Sequence, residues 1–239
     1  MARTVHVIGI GAGSLDHLTG EAWAALRSVA YVVAADKGAD DPLLGVRREL
    51  CAQAGVPLVA VPDPERDRRP ADYPGAVADW HQARVDAYTE VLESRPGDVG
   101  FLVWGDPSLY DSTLRIVEKI PGTTYRVVPG LSAPQLLAAA HGIVLHEVGQ
   151  PVLVTTGRRL HEEVAAGHDN LVVMLDGAVT CLELDRAGWD IWWGANLGTR
   201  SQALVAGPLA EVAPEITAAR DAVRAAADWV MDTYLLRRR

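Results

Sequence analysis

Cysteine is nearly absent: Cys51 and Cys181 are the only two in 239 residues. Neither has a second Cys or a His at zinc spacing, so two reduced thiols are expected rather than a disulfide framework or a metal centre. Seven histidines add no metal site, because His141 and His146 have a spacing that fits no common ligand pair. No run of about 18 apolar residues occurs, so no membrane partner is expected. The opening MARTVHVIGIGAG enters a strand at once with no charged, apolar and small-residue series, and a cytoplasmic protein is expected. Basic charge is short too: 22 Lys and Arg against 31 Asp and Glu give −9, which argues against the basic face that nucleic-acid binding needs. Lysine is limited to Lys37 and Lys119, so arginine carries the positive charge, in knots at Arg47-Arg48, Arg66-Arg68-Arg69, Arg158-Arg159 and Arg237-Arg238-Arg239. Guanidinium is the group suited to bidentate carboxylate binding. Neither a repeat of solenoid period nor a low-complexity tract is visible.

What is present is an alternation of apolar runs and helical patterns. TVHVIGIG, AYVVAAD, VPLVAVP, DVGFLVWG and TYRVVPG read as strands, and the segments between them as helices. Near-continuous apolar runs of this kind mark parallel strands buried on both faces. SAPQLLAAAHG reads as a helix closed by Gly142, and IVLHEVGQ as a connector. From Pro151 strands begin again with PVLVTTG, NLVVMLDG, WDIWWGANLG and QALVAGPLAEV. A closing helix is expected over APEITAARDAVRAAADWVMDTYLL, where Ile216, Val223, Ala227, Val230, Met231 and Leu235 share one helical face. The fold class is α/β with two domains, 1–144 and 145–239. Of the tryptophans, Trp192 and Trp193 are expected in the core, and Trp104 falls at a strand end.

Three strand ends carry rigid turns of small residues. Gly9, Gly11 and Gly13 follow the first strand; Gly105 and Pro107 end FLVWGDP; Pro129 and Gly130 end VVPG, with Ser132 as a helix cap. The first turn, with Asp36 about twenty residues on, also resembles a dinucleotide fingerprint. Ser14 stands where that fingerprint needs Gly or Ala, which disfavours it. Three such turns in one sheet point to a floor of backbone groups that grips a compact polar cofactor.

The segments VIGIGAGSLDHLT, VWGDPSLY and VVPGLSA, in that order and before a second α/β domain, resemble the tetrapyrrole methylases, S-adenosylmethionine-dependent enzymes of cobalamin and sirohaem biosynthesis. PDPERDR and TTGRRL narrow the resemblance to a member that methylates carbon 1 of precorrin-5 with release of acetate. The family fold implies two α/β domains with the cofactor cleft between them. By residue, the resemblance implies cofactor contacts at Gly11, Ala12, Trp104, Gly105, Asp106, Leu109, Tyr110, Ser132, Ala133 and Gly198, and at Met174 or Leu175, which compete for one place. Ala12 departs from the family's usual Pro. A homodimer, a small-molecule tetrapyrrole substrate and S-adenosyl-L-homocysteine as product are also implied.

Methyl transfer from a sulfonium to carbon asks mainly for positioning. Release of acetate asks in addition for a group that positions or deprotonates water. Asp36, at a strand end beside the first glycine turn, is the catalytic candidate, with turn capping or orientation of the substrate as its alternative role. Arg66, Arg68, Arg69, Arg158 and Arg159 are candidates for the carboxylate rim of the substrate. The competing classes are methylation at another ring carbon, a nicotinamide-dependent oxidoreductase and a non-catalytic adenosylmethionine sensor.

Overall fold

The structure is a computed structural model describing residues 3–38, 41–64, 72–227 and 229–239. It divides into two compact units, Met1–Leu131 and Ser132–Arg239. The expected arginines Arg66, Arg68 and Arg69 lie outside the described residues.

The first unit holds strands β1 (Arg3–Gly9), β2 (Tyr31–Asp36), β3 (Leu58–Pro62), β4 (Val99–Val103) and β5 (Thr123–Val128) with helices α1 (Gly20–Ser28), α2 (Pro42–Ala54), α3 (Tyr73–Ser94) and α4 (Thr113–Val117). All strand pairs are parallel, in the order β3-β2-β4-β1-β5. Burial on both faces explains the near-continuous apolar strands. On one face Ala22, Ala25, Leu26, Leu50 and Cys51 of α1 and α2 pack on Ile8, Val32 and Leu102. On the other, Val85, Tyr88, Leu92, Ile116 and Val117 of α3 and α4 pack on Val7, Val33 and Phe101. The chain between β1 and β2 therefore leaves toward one face, and the chain between β4 and β5 toward the other. Since β1 and β4 are neighbours, the topological switch point of this sheet lies between their carboxyl ends, where ligands of open α/β sheets bind.

The second unit contains α5 (Ala133–His141), β6 (Leu153–Thr156), α6 (Leu160–Ala165), β7 (Asn170–Met174), β8 (Trp189–Ala195), β9 (Ala203–Pro208), α7 (Leu209–Ala227) and β10 (Asp232–Arg238). The sheet order is β6-β7-β10-β8-β9. Trp189, Ile191, Trp193, Tyr234 and Leu236 form its main core with Leu209, Ile216 and Val223 of α7. Leu137 of α5 packs on the opposite face with Val172, Leu197 and Leu235. Gly142 ends α5 in the left-handed conformation, φ +65°, as a C-terminal glycine cap does. No helix of the described residues is long and apolar enough to cross a membrane. Cys51 and Cys181 are both free and buried.

The expected closing helix requires correction. Helix α7 ends at Ala227, and the tail forms β10, the central strand of the second sheet, antiparallel to β7 and β8. The period-2 alternation decides it: Tyr234 and Leu236 enter one core while Leu235 enters the other. A helix would have placed these three consecutive apolar residues about 100° apart, leaving one of them exposed.

Candidate functional site

At the switch point the three small-residue turns interlock through their backbones. Gly11 N–H donates to Gly105 O at 3.2 Å and Gly105 N–H to Gly11 O at 2.7 Å, joining the first turn to the second. Third-turn Gly130 lies so close to both that a Cβ there would stand 2.2 Å from Gly105 O and 2.7 Å from Gly9 C. Asp106 fastens the assembly: its carboxylate accepts from Gly130 N–H at 2.9 Å, Ser108 N–H at 2.9 Å and Ser108 O–H at 2.5 Å. Burial alone raises the Asp106 pKa, but these hydrogen bonds outweigh it and the carboxyl sits below its ordinary value.

The lowered value sets a pH dependence. A depressed carboxylate stabilises the fold fully above its unfolded pKa, about 3.9, and that contribution disappears as pH falls through the folded value. Asp106→Asn is expected to lose about 1 kcal/mol at neutral pH, discounted for the partial exposure of the group. The stability gap to the parent protein should narrow as pH falls below the unfolded carboxyl pKa and through the lowered folded value, in matched denaturant titrations; a gap independent of pH would contradict the clamp.

Gly105 differs from Gly130. Its φ is +69°, and a Cβ on it would meet nothing within 4 Å, so its α-carbon faces open space. The turns therefore combine a rigid backbone with a bare patch that any side chain would fill, and this fits a cofactor held against main chain. Ala12 is buried and Trp104 half-buried, while Leu109 is half-buried and Tyr110 exposed on the segment that follows Gly105.

Between β2 and β4 the sheet opens, since these strands pair only through Tyr31 and Val32. The Leu102 carbonyl turned toward the gap accepts instead from Arg47 Nε–H at 2.9 Å. Burial lowers the Arg47 pKa, opposed by nearby Asp41 and Asp111. Sequence reading noted Arg47 only as half of an arginine knot. Its role depends on a strand splay that no local pattern reports. Asp36 ends β2 and its Oδ1 accepts from Gly38 N–H at 2.9 Å, the turn-capping arrangement. It also lines a cavity of 440 Å³ with Gly38, Asp41, Leu44, Gly45 and Arg48. His17 was missed as well. It packs against Gly11, its buried Nδ1 has no partner among the described residues, and burial lowers its pKa, outweighing Asp16.

In the second unit, β6 is parallel to β7, and β10 is antiparallel to both β7 and β8. The carboxyl ends of β6, β7 and β8 consequently lie at one end of the sheet. They carry Gly157-Arg158-Arg159, Met174-Leu175-Asp176 and Asn196-Leu197-Gly198. Arg159, just before α6, pairs with Glu163 at 2.8 Å and Glu162 at 3.1 Å of that helix, and Arg158 is exposed. Ser132 precedes α5, its N–H donating to Gln135 Oε1 at 2.9 Å, as a helix cap; Ala133 follows as the first helical residue. Among the described residues, four that are not glycine have positive φ: Tyr110, Leu175, Val179 and Asn196. Three of the four fall in the segments that sequence reading matched to cofactor contacts, WGDPSLY, VVML and NLGT. Strain of this kind concentrates at ligand sites.

A parallel sheet with glycine turns at its switch point, followed by a mixed sheet with strained turns at one end, defines a class. The chain belongs to the Tetrapyrrole (Corrin/Porphyrin) Methylases, which match residues 4–213. Within that family it is 41% identical over 249 aligned residues to Precorrin-6A synthase [deacetylating] of Sinorhizobium sp, covering 99% of this chain and 95% of that one. Among solved structures, a cobalamin synthesis related protein (CobF) from Corynebacterium diphtheriae superposes with TM-score 0.86 at 38% identity, covering 100% of this chain and 99% of the other. The uroporphyrin-III C-methyltransferase of Thermus thermophilus, solved in complex with S-adenosylhomocysteine, shares the fold at TM-score 0.61 and 20% identity, over 98% and 91% of the two chains.

Proposed function

We propose that this chain is an S-adenosylmethionine-dependent C-methyltransferase of aerobic cobalamin biosynthesis, methylating carbon 1 of precorrin-5 with release of acetate to give precorrin-6A. The observation that carries this reading is the 41% identity to a deacetylating precorrin-6A synthase across 99% of the chain. The interlocked turns support it, because they offer the backbone surface and bare α-carbon that a compact cofactor requires.

The cofactor supplies a sulfonium-activated methyl group and leaves as S-adenosyl-L-homocysteine. The protein's task is then orientation. Gly11, Ala12, Gly105, Asp106 and their neighbours on the three turns, with Met174 or Leu175 and Gly198, hold the cofactor. Asp36 holds and deprotonates a water at the acetyl group. The water oxygen bonds to the acetyl carbonyl carbon, the bond from that carbon to ring carbon 1 breaks, and acetate departs. The electron pair left on carbon 1 would take the methyl, whose bond to the sulfonium sulfur breaks with its electrons staying on sulfur. Arg66, Arg68, Arg69, Arg158 and Arg159 take the substrate carboxylates. The working form is read as a cytoplasmic homodimer.

The test is a single reaction of the protein with S-adenosylmethionine and enzymatically generated precorrin-5, followed by macrocycle mass and free acetate. One methyl gained, one acetyl lost and an equal amount of acetate is the expected result. Methyl gain without acetate would move the reaction to another ring carbon, and no methyl gain would sink the reading. Asp36→Asn is expected to lower acetate release about 100-fold while leaving S-adenosylhomocysteine affinity within about twofold. Unchanged acetate release would leave Asp36 as a turn cap only.

A further inference from the structure

One half-buried ionisable group of the first turn has no part in the chemistry above. His17 stands where a side chain on Gly11 would, since a Cβ on that glycine would lie 2.5 Å from His17 Cβ and 3.3 Å from its Cγ. Gly11 in turn exchanges two backbone hydrogen bonds with Gly105, so the imidazole rests on the bridge between the first two turns. Its own segment is held at both ends. His17 N–H donates to Ser14 O at 3.0 Å, Leu18 is buried in the cluster of Ile8 and Ile10, and Thr19 Oγ1 caps α1 by accepting from Ala22 N–H at 3.0 Å.

Of the two ring nitrogens, Nδ1 alone is buried without a hydrogen-bond partner among the described residues. A buried N–H is left unpaired more rarely than a buried acceptor, which places the ring proton on Nε2. A second proton would put a charged N–H at the same unpartnered position, and burial accordingly lowers the pKa against the pull of exposed Asp16. Asp106, on the second turn, already accepts three hydrogen bonds. His17 therefore offers one donor, Nε2–H, and no charge.

We infer that His17 is a further cofactor-binding residue, an uncharged Nε2–H donor on the first turn that bonds an acceptor oxygen of S-adenosylmethionine. The inference rests on the proposed function, whose cofactor bears a sulfonium. A lysine or arginine here would add a second positive charge to a site that must accept that sulfonium, whereas a neutral imidazole orients the ligand without repelling it. A leucine would keep the packing on Gly11 and remove a buried nitrogen that has no partner, so stability and binding should move in opposite directions.

The experiment compares the full chain with His17→Leu and His17→Gln by thermal unfolding without ligand, by S-adenosylhomocysteine calorimetry, and by nitrogen-15 spectra of histidine-labelled protein. His17→Leu should keep or raise the melting temperature and weaken S-adenosylhomocysteine roughly tenfold. His17→Gln, whose amide N–H stands in for Nε2–H, should bind to within about threefold of the parent. The imidazole signals that vanish in His17→Gln should report an uncharged ring with its proton on Nε2 at neutral pH, with and without ligand. Parent-like affinity in His17→Leu overturns the contact, and a loss as large in His17→Gln makes His17 a packing residue and overturns it too. An imidazolium, or a proton on Nδ1, overturns the uncharged donor. A parent protein that binds no S-adenosylhomocysteine and turns over no precorrin-5 would instead bring down the functional reading, and this inference with it.

Discussion

Gly130→Ala should disable the protein, with a stability loss of about 3 kcal/mol and a fall in methyl transfer of about 100-fold in whatever remains folded. The new Cβ would lie 2.2 Å from Gly105 O, 2.7 Å from Gly9 C and 2.8 Å from Gly9 Cα. All three are backbone atoms, so no side chain can rotate away. Relief has to come from moving one strand end relative to another, which breaks the Gly11–Gly105 bridge or the Asp106 clamp. Gly105→Ala makes the informative comparison, because its Cβ would point into open space at φ +69°. That change should cost only about 1 kcal/mol of backbone strain yet lower S-adenosylhomocysteine affinity more than about tenfold. Denaturant midpoints and calorimetry on both variants separate the two roles. A Gly130→Ala protein of parent stability would show that the turns can part without loss, and would undo the account of the site as a rigid backbone floor.

The contrast between these glycines also marks where sequence reading stops. Each turn was legible by itself, because Gly and Pro at the end of an apolar run have local conformational consequences. That the turns touch was not legible, since residues 9, 105 and 130 meet only through the order of β4, β1 and β5. Arg47 illustrates the same limit, its partner Leu102 lying fifty-five residues away across a gap in strand pairing. The tail failed for a different reason. From Glu215 to Arg239 there is no Gly or Pro, so nothing in the sequence marks the break between α7 and β10. Helical periodicity carried through residues whose burial is decided by two neighbouring strands. Asp176 was equally silent: a carboxylate in LDG reads as a turn residue, and only the arrival of Tyr234 from that misread strand makes it a buried anchor.

The same misread strand begins with the residue behind the second large effect. Arg220→Met should lose about 3–5 kcal/mol at neutral pH, the usual result of removing one partner from a buried ion pair. Asp232 and Arg220 are 4% and 12% exposed at their side chains and meet at 2.8 Å. Burial raises the Asp232 pKa, and the Arg220 hydrogen bond and charge oppose that rise without cancelling it. For a carboxyl whose folded pKa lies above its unfolded value, the native state favours the protonated form. Its contribution to stability is therefore greatest below the unfolded pKa, about 3.9, and declines as pH rises through the folded value. Removing the guanidinium takes away what held the folded value down, so the decline becomes larger and extends to higher pH. The stability difference between parent and Arg220→Met should accordingly be widest near pH 7 and shrink as pH falls and the unpaired carboxyl takes up its proton. Asp232→Asn in the Arg220→Met background should remove most of that pH dependence, since an amide has no proton to gain. A deficit that stays constant as pH falls from 7 to below the unfolded carboxyl pKa would mean that Arg220 acts through its bond to Gly177 O rather than through the charge of Asp232.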